Sequence, residues 1–212
     1  MKTSTKPQPL RVYLAGPEVF LPNAIQVLER KKQLCARYGF EGIHPFDLEA
    51  NVTRLPKREA GIQIGQNNET LIRSCGILIA NLTPFRGPSA DVGTVYECGF
   101  ARALGLVIFG YTHTTRPYFA RTIASLKDTI RQDKTGQPRD ANRMVIEDFD
   151  LPDNLMIPSG IESSGGQLIA APIPQSKWYT NLSTFELCLQ AANLARSTPA
   201  RRPWEGQAPA RP

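Results

Sequence analysis

The densest concentration of reactive side chains runs from Phe85 to Gly99, where Asp91 and Glu97 stand six residues apart in Ser89-Ala90-Asp91-Val92-Gly93-Thr94-Val95-Tyr96-Glu97-Cys98-Gly99. Such a pair offers carboxylate chemistry. Asp91 falls at the start of a helical pattern, where the positive end of the helix dipole keeps it ionised. Glu97 lies in the second turn between Gly93 and Gly99, residues that weaken a helix unless something must approach it closely. Glu97 is therefore a candidate for ligand contact. The same pattern also suits a plain N-cap at Asp91 and a solvated helix residue at Glu97, and both readings stand at this point.

Other chemistries lack their signatures. The chain has no GxxxxGK[ST] phosphate loop and no GxGxxG after a strand, so nucleoside triphosphate and dinucleotide sites lose their usual fingerprints. His44 and His113 are the only histidines, and neither sits in a GxSxG or HExxH context. Cys35, Cys75, Cys98 and Cys188 match no CxxC or zinc-ligand spacing, which favours reduced structural thiols. No metal and no cofactor are expected.

The elements that must position the carboxylates follow from the hydrophobic pattern. Arg11 to Ala15 predicts a strand ended by Gly16-Pro17, and Asn23 to Tyr38 a helix stopped by Gly39. Phe40 to His44 predicts a second strand, followed by Asp47, and Gln63 to Ser74 a helix. Gly76 to Leu82 is almost continuously apolar, which suits a parallel strand covered on both faces. Asp91 to Leu104 predicts a helix and Leu106 to Tyr111 a fourth strand. Tyr118 to Ile130 reads as a helix, Arg131 to Asn142 as an exposed loop, Leu168 to Ala171 as a weak fifth strand and Thr184 to Leu194 as a closing helix. This alternation predicts an open α/β sheet of about five mostly parallel strands with helices on both faces. Ligands bind such sheets at the carboxyl ends of the strands, where Tyr13, Asp47 and the loop after the third strand converge.

The 212 residues, 41% hydrophobic and 21% charged, fit one globular domain over 11–196, with a polar lead over 1–10 and a Pro/Arg-rich tail over 197–212 that is too poor in apolar residues to pack. Of the net charge of +6, half lies between Arg196 and Pro212, so the excess does not argue for a nucleic-acid partner or a membrane surface. Met1 to Pro9 has no apolar signal core and no window approaches the roughly 18 apolar residues of a membrane span. A cytoplasmic protein is expected.

Three separated motifs, in order, resemble the nucleoside 2-deoxyribosyltransferases from Arg11 to about Asn193. Val12-Tyr13-Leu14-Ala15-Gly16-Pro17-Glu18-Val19-Phe20 is similar to the family's opening strand and loop, and Ala80 to Gly99 to its nucleophile segment. Ile146-Glu147-Asp148-Phe149, with Leu155-Met156 after Asn154, resembles its late asparagine loop. The resemblance implies a flavodoxin-like fold with Glu97 as nucleophile, Asp91 on the sugar hydroxyls and Tyr13 orienting Glu97. It places Gly16, Phe20, Asp47, Asn68, Phe85, Arg86, Gly87 and Met156 around the substrate. Asn154 would complete a neighbouring subunit's pocket at the sugar 5′-hydroxyl, implying a homo-oligomer. The implied reaction exchanges bases on 2-deoxyribose with retention, through a glycosyl-glutamate, and the partners are 2′-deoxynucleosides and free nucleobases.

The physics suits a carboxylate, because an anion below the anomeric carbon stabilises an oxocarbenium-like transition state and then captures it. The leaving base also needs a proton or a hydrogen-bond donor. Where some members carry an aspartate near the base this chain has Asn68, which is no acid. Asp47 could contact the base instead, or Asn68 could orient it while water or Asp91 handles the proton. Two rivals remain. A deoxynucleoside 5′-monophosphate N-glycosidase would use the same Glu97, with Glu18 in the first loop expected to repel a phosphate and Arg86 partly offsetting it. A non-catalytic nucleoside- or nucleotide-binding module could share the sheet.

Overall fold

The structure, a computed structural model, describes residues 8–52, 54–126 and 130–196. In chain order its first half comprises β1 (Leu10–Ala15), α1 (Ala24–Arg37), β2 (Phe40–Ile43), α2 (Lys57–Arg73), β3 (Ile77–Asn81), α3 (Val92–Ala103) and β4 (Val107–Thr112). There follow α4 (Tyr118–Leu126), the short strands β5 (Arg131–Gln132) and β6 (Pro138–Arg139), α5 (Met156–Ser163), β7 (Leu168–Ala170) and α6 (Ser183–Arg196).

Alternation along the central strands sorts the core into two layers, since successive strand residues face opposite sides of a sheet. Val12, Leu14, Ile77, Ile79 and Phe109 pack with Val27 and Leu34 of α1 and Phe185 and Leu189 of α6. Tyr13, Ala15, Leu78, Ala80 and Ile108 pack with Ile72 of α2, Cys98 and Ala101 of α3, and Ile157 and Ile161 of α5. All five residues of β3 are buried, the reason its sequence is apolar without alternation. The sheet order is β2-β1-β3-β4-β7, every pairing parallel. This is the flavodoxin-like order, whose switch point lies between β1 and β3. Residues 131–139 form a separate antiparallel hairpin.

Most boundaries agree with the hydrophobic pattern to within one or two residues. Gly39, at φ 75°, ends α1 in the left-handed conformation that glycine adopts without strain. α2 starts six residues earlier than its apolar pattern indicates, because its first turns are exposed and only Leu71 and Ile72 are fully buried. The usable signal is Pro56 immediately before the helix. α5 is a helix that the hydrophobic pattern does not predict; its Pro158 stands in the first turn, where a proline removes only an N–H that lacks a helical acceptor. The expected exposed loop after Ile130 is instead a hairpin, turned by Asp133, which accepts from the backbone N–H groups of Thr135 and Gln137 and from Arg139. The expected helix from Tyr118 is observed to Leu126, with 127–129 outside the described residues, as are most of the 1–10 lead and the whole 197–212 tail. Among the described residues no helix is long and apolar enough to cross a membrane.

Candidate active site

Tyr13 sits in β1 on the α2/α3 face of the sheet with no exposed surface. Its hydroxyl donates to Glu97 Oε1 at 2.7 Å, so the strand beside the switch point meets the middle of α3. Asn68, on α2, donates from Nδ2 to the same oxygen at 3.3 Å. Both donors engage Oε1. Among the described residues Glu97 Oε2 accepts from nothing, and it is not among the buried atoms that lack a partner. One oxygen of the carboxylate is thus anchored and the other is open.

Burial pushes the Glu97 carboxyl up to about 7; the Tyr13 hydrogen bond opposes this, the nearby Asp91 carboxylate adds to it, and Asn68 opposes it. Burial, reinforced by the negative charge of Glu97, drives the Tyr13 phenol far above its ordinary range, so Tyr13 remains a hydroxyl donor at every physiological pH. Asp91 is the N-cap of α3: its Oδ2 accepts from Thr94 N at 2.9 Å and Thr94 Oγ1 at 3.0 Å. Its Oδ1 has no hydrogen-bond partner among the described residues. Capping and a second role are therefore compatible, one oxygen for each. Asn68 Oδ1 is buried and unpartnered, an acceptor left over beside the Glu97 carboxylate.

The two glycines around Glu97 are not packed against another element of the fold. A Cβ on Gly99 would meet nothing within 4 Å, and one on Gly93 would meet only Asp91 Oδ2 at 3.1 Å. No neighbouring part of the fold needs their small size. Gly16 does need it: a Cβ there would lie 2.1 Å from Glu18 Oε2 and 2.9 Å from Asn81 Cβ.

Glu18 corrects an expectation. Its side chain does not face the ligand rim but is 1% exposed, ion-paired with fully buried Lys31 and bonded by Asn81 Nδ2 and the Tyr111 hydroxyl. The sequence offered a sign of this, because Lys31 occupies the apolar stripe Val27, Leu28, Lys31, Leu34, Cys35 of α1. A phosphate near the first loop would not meet a bare carboxylate.

The remaining predicted residues form three groups. Phe20 and Phe85 stack with centroids 5.3 Å apart and 12° between planes, and the Arg86 guanidinium lies 4.6 Å from the Phe85 ring and 5.1 Å from the Phe20 ring. Arg86 holds φ 55°, a strained conformation for a side-chain-bearing residue. Gly87 follows it with open space around it. Asp47 is committed elsewhere: its oxygens accept from Lys32 Nζ at 2.7 Å and His44 N at 3.1 Å, and it makes no contact with Glu97. Asn154 donates to Glu147 Oε2 at 2.7 Å and accepts from Met156 N at 3.1 Å, all within its own chain, while Met156 is 67% exposed at the start of α5. The four cysteines are free and buried. No group of three or more His, Cys, Asp or Glu among the described residues could hold a metal ion.

Comparison with known proteins places this arrangement. A family described as Nucleoside 2-deoxyribosyltransferase matches residues 12–156, which include Tyr13, Asn68, Asp91, Glu97 and Asn154. An uncharacterized protein of Schizosaccharomyces pombe is 32% identical over 165 residues, spanning 73% of this chain and 78% of that relative. The structure of a 2-desoxiribosyltransferase from Leishmania mexicana is similar with a TM-score of 0.54 at 31% identity, over 70% of this chain and 85% of the other. The match spans most of the sheet and every residue around Glu97, so this chain belongs to the nucleoside 2-deoxyribosyltransferase family.

Proposed function

We propose that the protein moves 2-deoxyribose from one nucleobase to another with retention of configuration, Glu97 being the nucleophile. The observation that carries this reading is the asymmetry of the Glu97 carboxylate, with Oε1 held by Tyr13 and Asn68 and Oε2 open. Oε2 attacks the anomeric carbon as the C–N bond to the first base breaks, giving a glycosyl ester; the second base then attacks the same carbon from the other face and releases the carboxylate. Asp91 Oδ1 accepts from a sugar hydroxyl, and Phe20 and Phe85 offer flat apolar surface to the base. Asn68 turns its amide N–H to Glu97 and is no acid, so the proton for the departing base comes from water.

A second copy supplies Asn154 to the pocket. The exposed apolar side chains Val92 at 84%, Tyr96 at 60% and Met156 at 67% beside the site support association. The reaction needs no cofactor, and four buried free thiols suit a reducing compartment such as the cytoplasm.

The test incubates the protein with a 2′-deoxynucleoside and a different free base and follows both by chromatography. A new deoxynucleoside is expected, abolished in Glu97→Gln. The rival hydrolysis of deoxynucleoside 5′-monophosphates gains from the burial of Glu18 and from Arg86 and Arg116 beside Tyr179 on one open cavity. Release of base and sugar phosphate without exchange would establish it, and Glu97→Gln exchanging at an unchanged rate would end the glutamate mechanism.

A further inference from the structure

A second carboxylate is buried close to the site. Asp153 is 1% exposed and immediately precedes Asn154. Its Oδ1 accepts from Ser89 Oγ and from Asn154 N at 2.8 Å; its Oδ2 accepts from Ala90 N at 3.0 Å and from Arg121 Nη2 at 3.4 Å. Arg121, on α4 and 8% exposed, turns its other donors onto backbone carbonyls: Nε onto Pro88 at 2.7 Å, Nη1 onto Arg116, and Nη2 onto Pro152 at 2.8 Å. The pair therefore grips Pro88, Ser89 and Ala90 on one side and Pro152, Asp153 and Asn154 on the other. Asp91 is the next residue of the first segment, and Asn154 belongs to the second.

Burying an ion pair is a poor route to stability, because desolvation consumes what the charges gain, and apolar side chains of similar volume commonly serve as well. What an apolar pair cannot do is fix four backbone groups of two separate loops at set distances. We propose that Arg121 and Asp153 are positioning residues that lock the Asp91 loop to the Asn154 loop, so that the two side chains assigned to the sugar hydroxyls move as one unit. This inference rests on the transferase reading for what the loops hold, but the locking is a property of the chain alone. If Asn154 serves the neighbouring pocket, the same bridge couples each subunit's own Asp91 to the site next door.

The test is Asp153→Asn, which keeps the volume but turns an amide donor toward either the Ala90 and Arg121 donors or the Ser89 and Asn154 donors. The expected results are a rise in the KM of the donor deoxynucleoside on the order of tenfold, a KM for the acceptor base within about twofold, and faster amide hydrogen exchange at 89–91 and 153–155 together. The acceptor value is spared because the sugar is by then covalently held. A merely structural role would lower the active fraction and leave both KM values alone. Ser89→Ala, which removes one donor and leaves the ion pair, gives the same pattern at smaller amplitude and carries the test should Asp153→Asn not fold. An unchanged donor KM in an active enzyme, or faster exchange in one loop only, overturns the inference. Coupled exchange in a protein whose wild type moves no base upholds the lock and removes the transferase reading instead.

Discussion

Replacing Tyr13 with phenylalanine removes one hydroxyl and leaves the ring in its buried slot. The lost hydrogen bond, 2.7 Å long, goes to a carboxylate whose pKa is already about 7. Hydrogen bonds to charged groups contribute about 1.5–3 kcal/mol, equivalent to about one to two pKa units. Because the bond favours the ionised form, its loss moves the Glu97 pKa upward. The nucleophile proposed for base exchange must be ionised, so the proposed activity is lost as pH falls through that pKa. In the wild type about half of the sites are ionised at neutral pH; in Tyr13→Phe about a tenth or fewer would be. The expected result is a fall of about fivefold or more in kcat/KM at pH 7 that shrinks toward pH 9, as the acid limb shifts by at least about one unit. Initial rates of base exchange from about pH 5.5 to 9.5 measure this directly. An acid limb that stays in place, or a deficit that is the same at every pH, would refute the link between Tyr13 and the ionisation of Glu97.

Two further outcomes concern stability. Since the folded-state pKa of Glu97 is raised from 4.5 to about 7, its contribution is fully present below the unfolded pKa and is lost as pH rises through the folded one. Glu97→Gln should therefore be inactive yet more stable than the wild type at pH 8, by about 1–3 kcal/mol, with the gap closing below about pH 4.5; thermal melts at both pH values check it, and a constant gap would contradict the sign. Lys31→Met leaves the Glu18 carboxylate buried without its cation and should cost about 3–5 kcal/mol in urea denaturation, whereas Lys31→Met with Glu18→Gln should cost far less. Equal losses in the single and double variants would show that charge is not the reason for the pairing.

Much of this protein is written locally. A run such as Ile77-Leu78-Ile79-Ala80-Asn81 is apolar without alternation because both faces are covered, so a buried parallel strand is readable without knowing what covers it. The same holds for α3, whose cap at Asp91 and stop before Gly105 are short-range features. Helices whose faces are mostly exposed, as in the first turns of α2, carry no hydrophobic period to read, and the hydrophobic pattern does not predict α5, with Pro158 in its first turn.

The order of the motifs and the type of each residue are enough to nominate Tyr13, Asp91 and Glu97 from the sequence alone. Which oxygen of Glu97 is tied down, that Glu18 turns inward to Lys31 while Asp47 is taken by Lys32, and that Arg121 and Asp153 join two loops remote in sequence were settled by packing. The reason is physical: a strand or helix is dictated by neighbours a few residues away, whereas the partner of a buried polar group is whichever donor or acceptor the closed core brings within about 3 Å, and chain separations of 84 residues for Tyr13–Glu97 and 63 for Ala90–Asp153 leave no periodicity for a sequence to display.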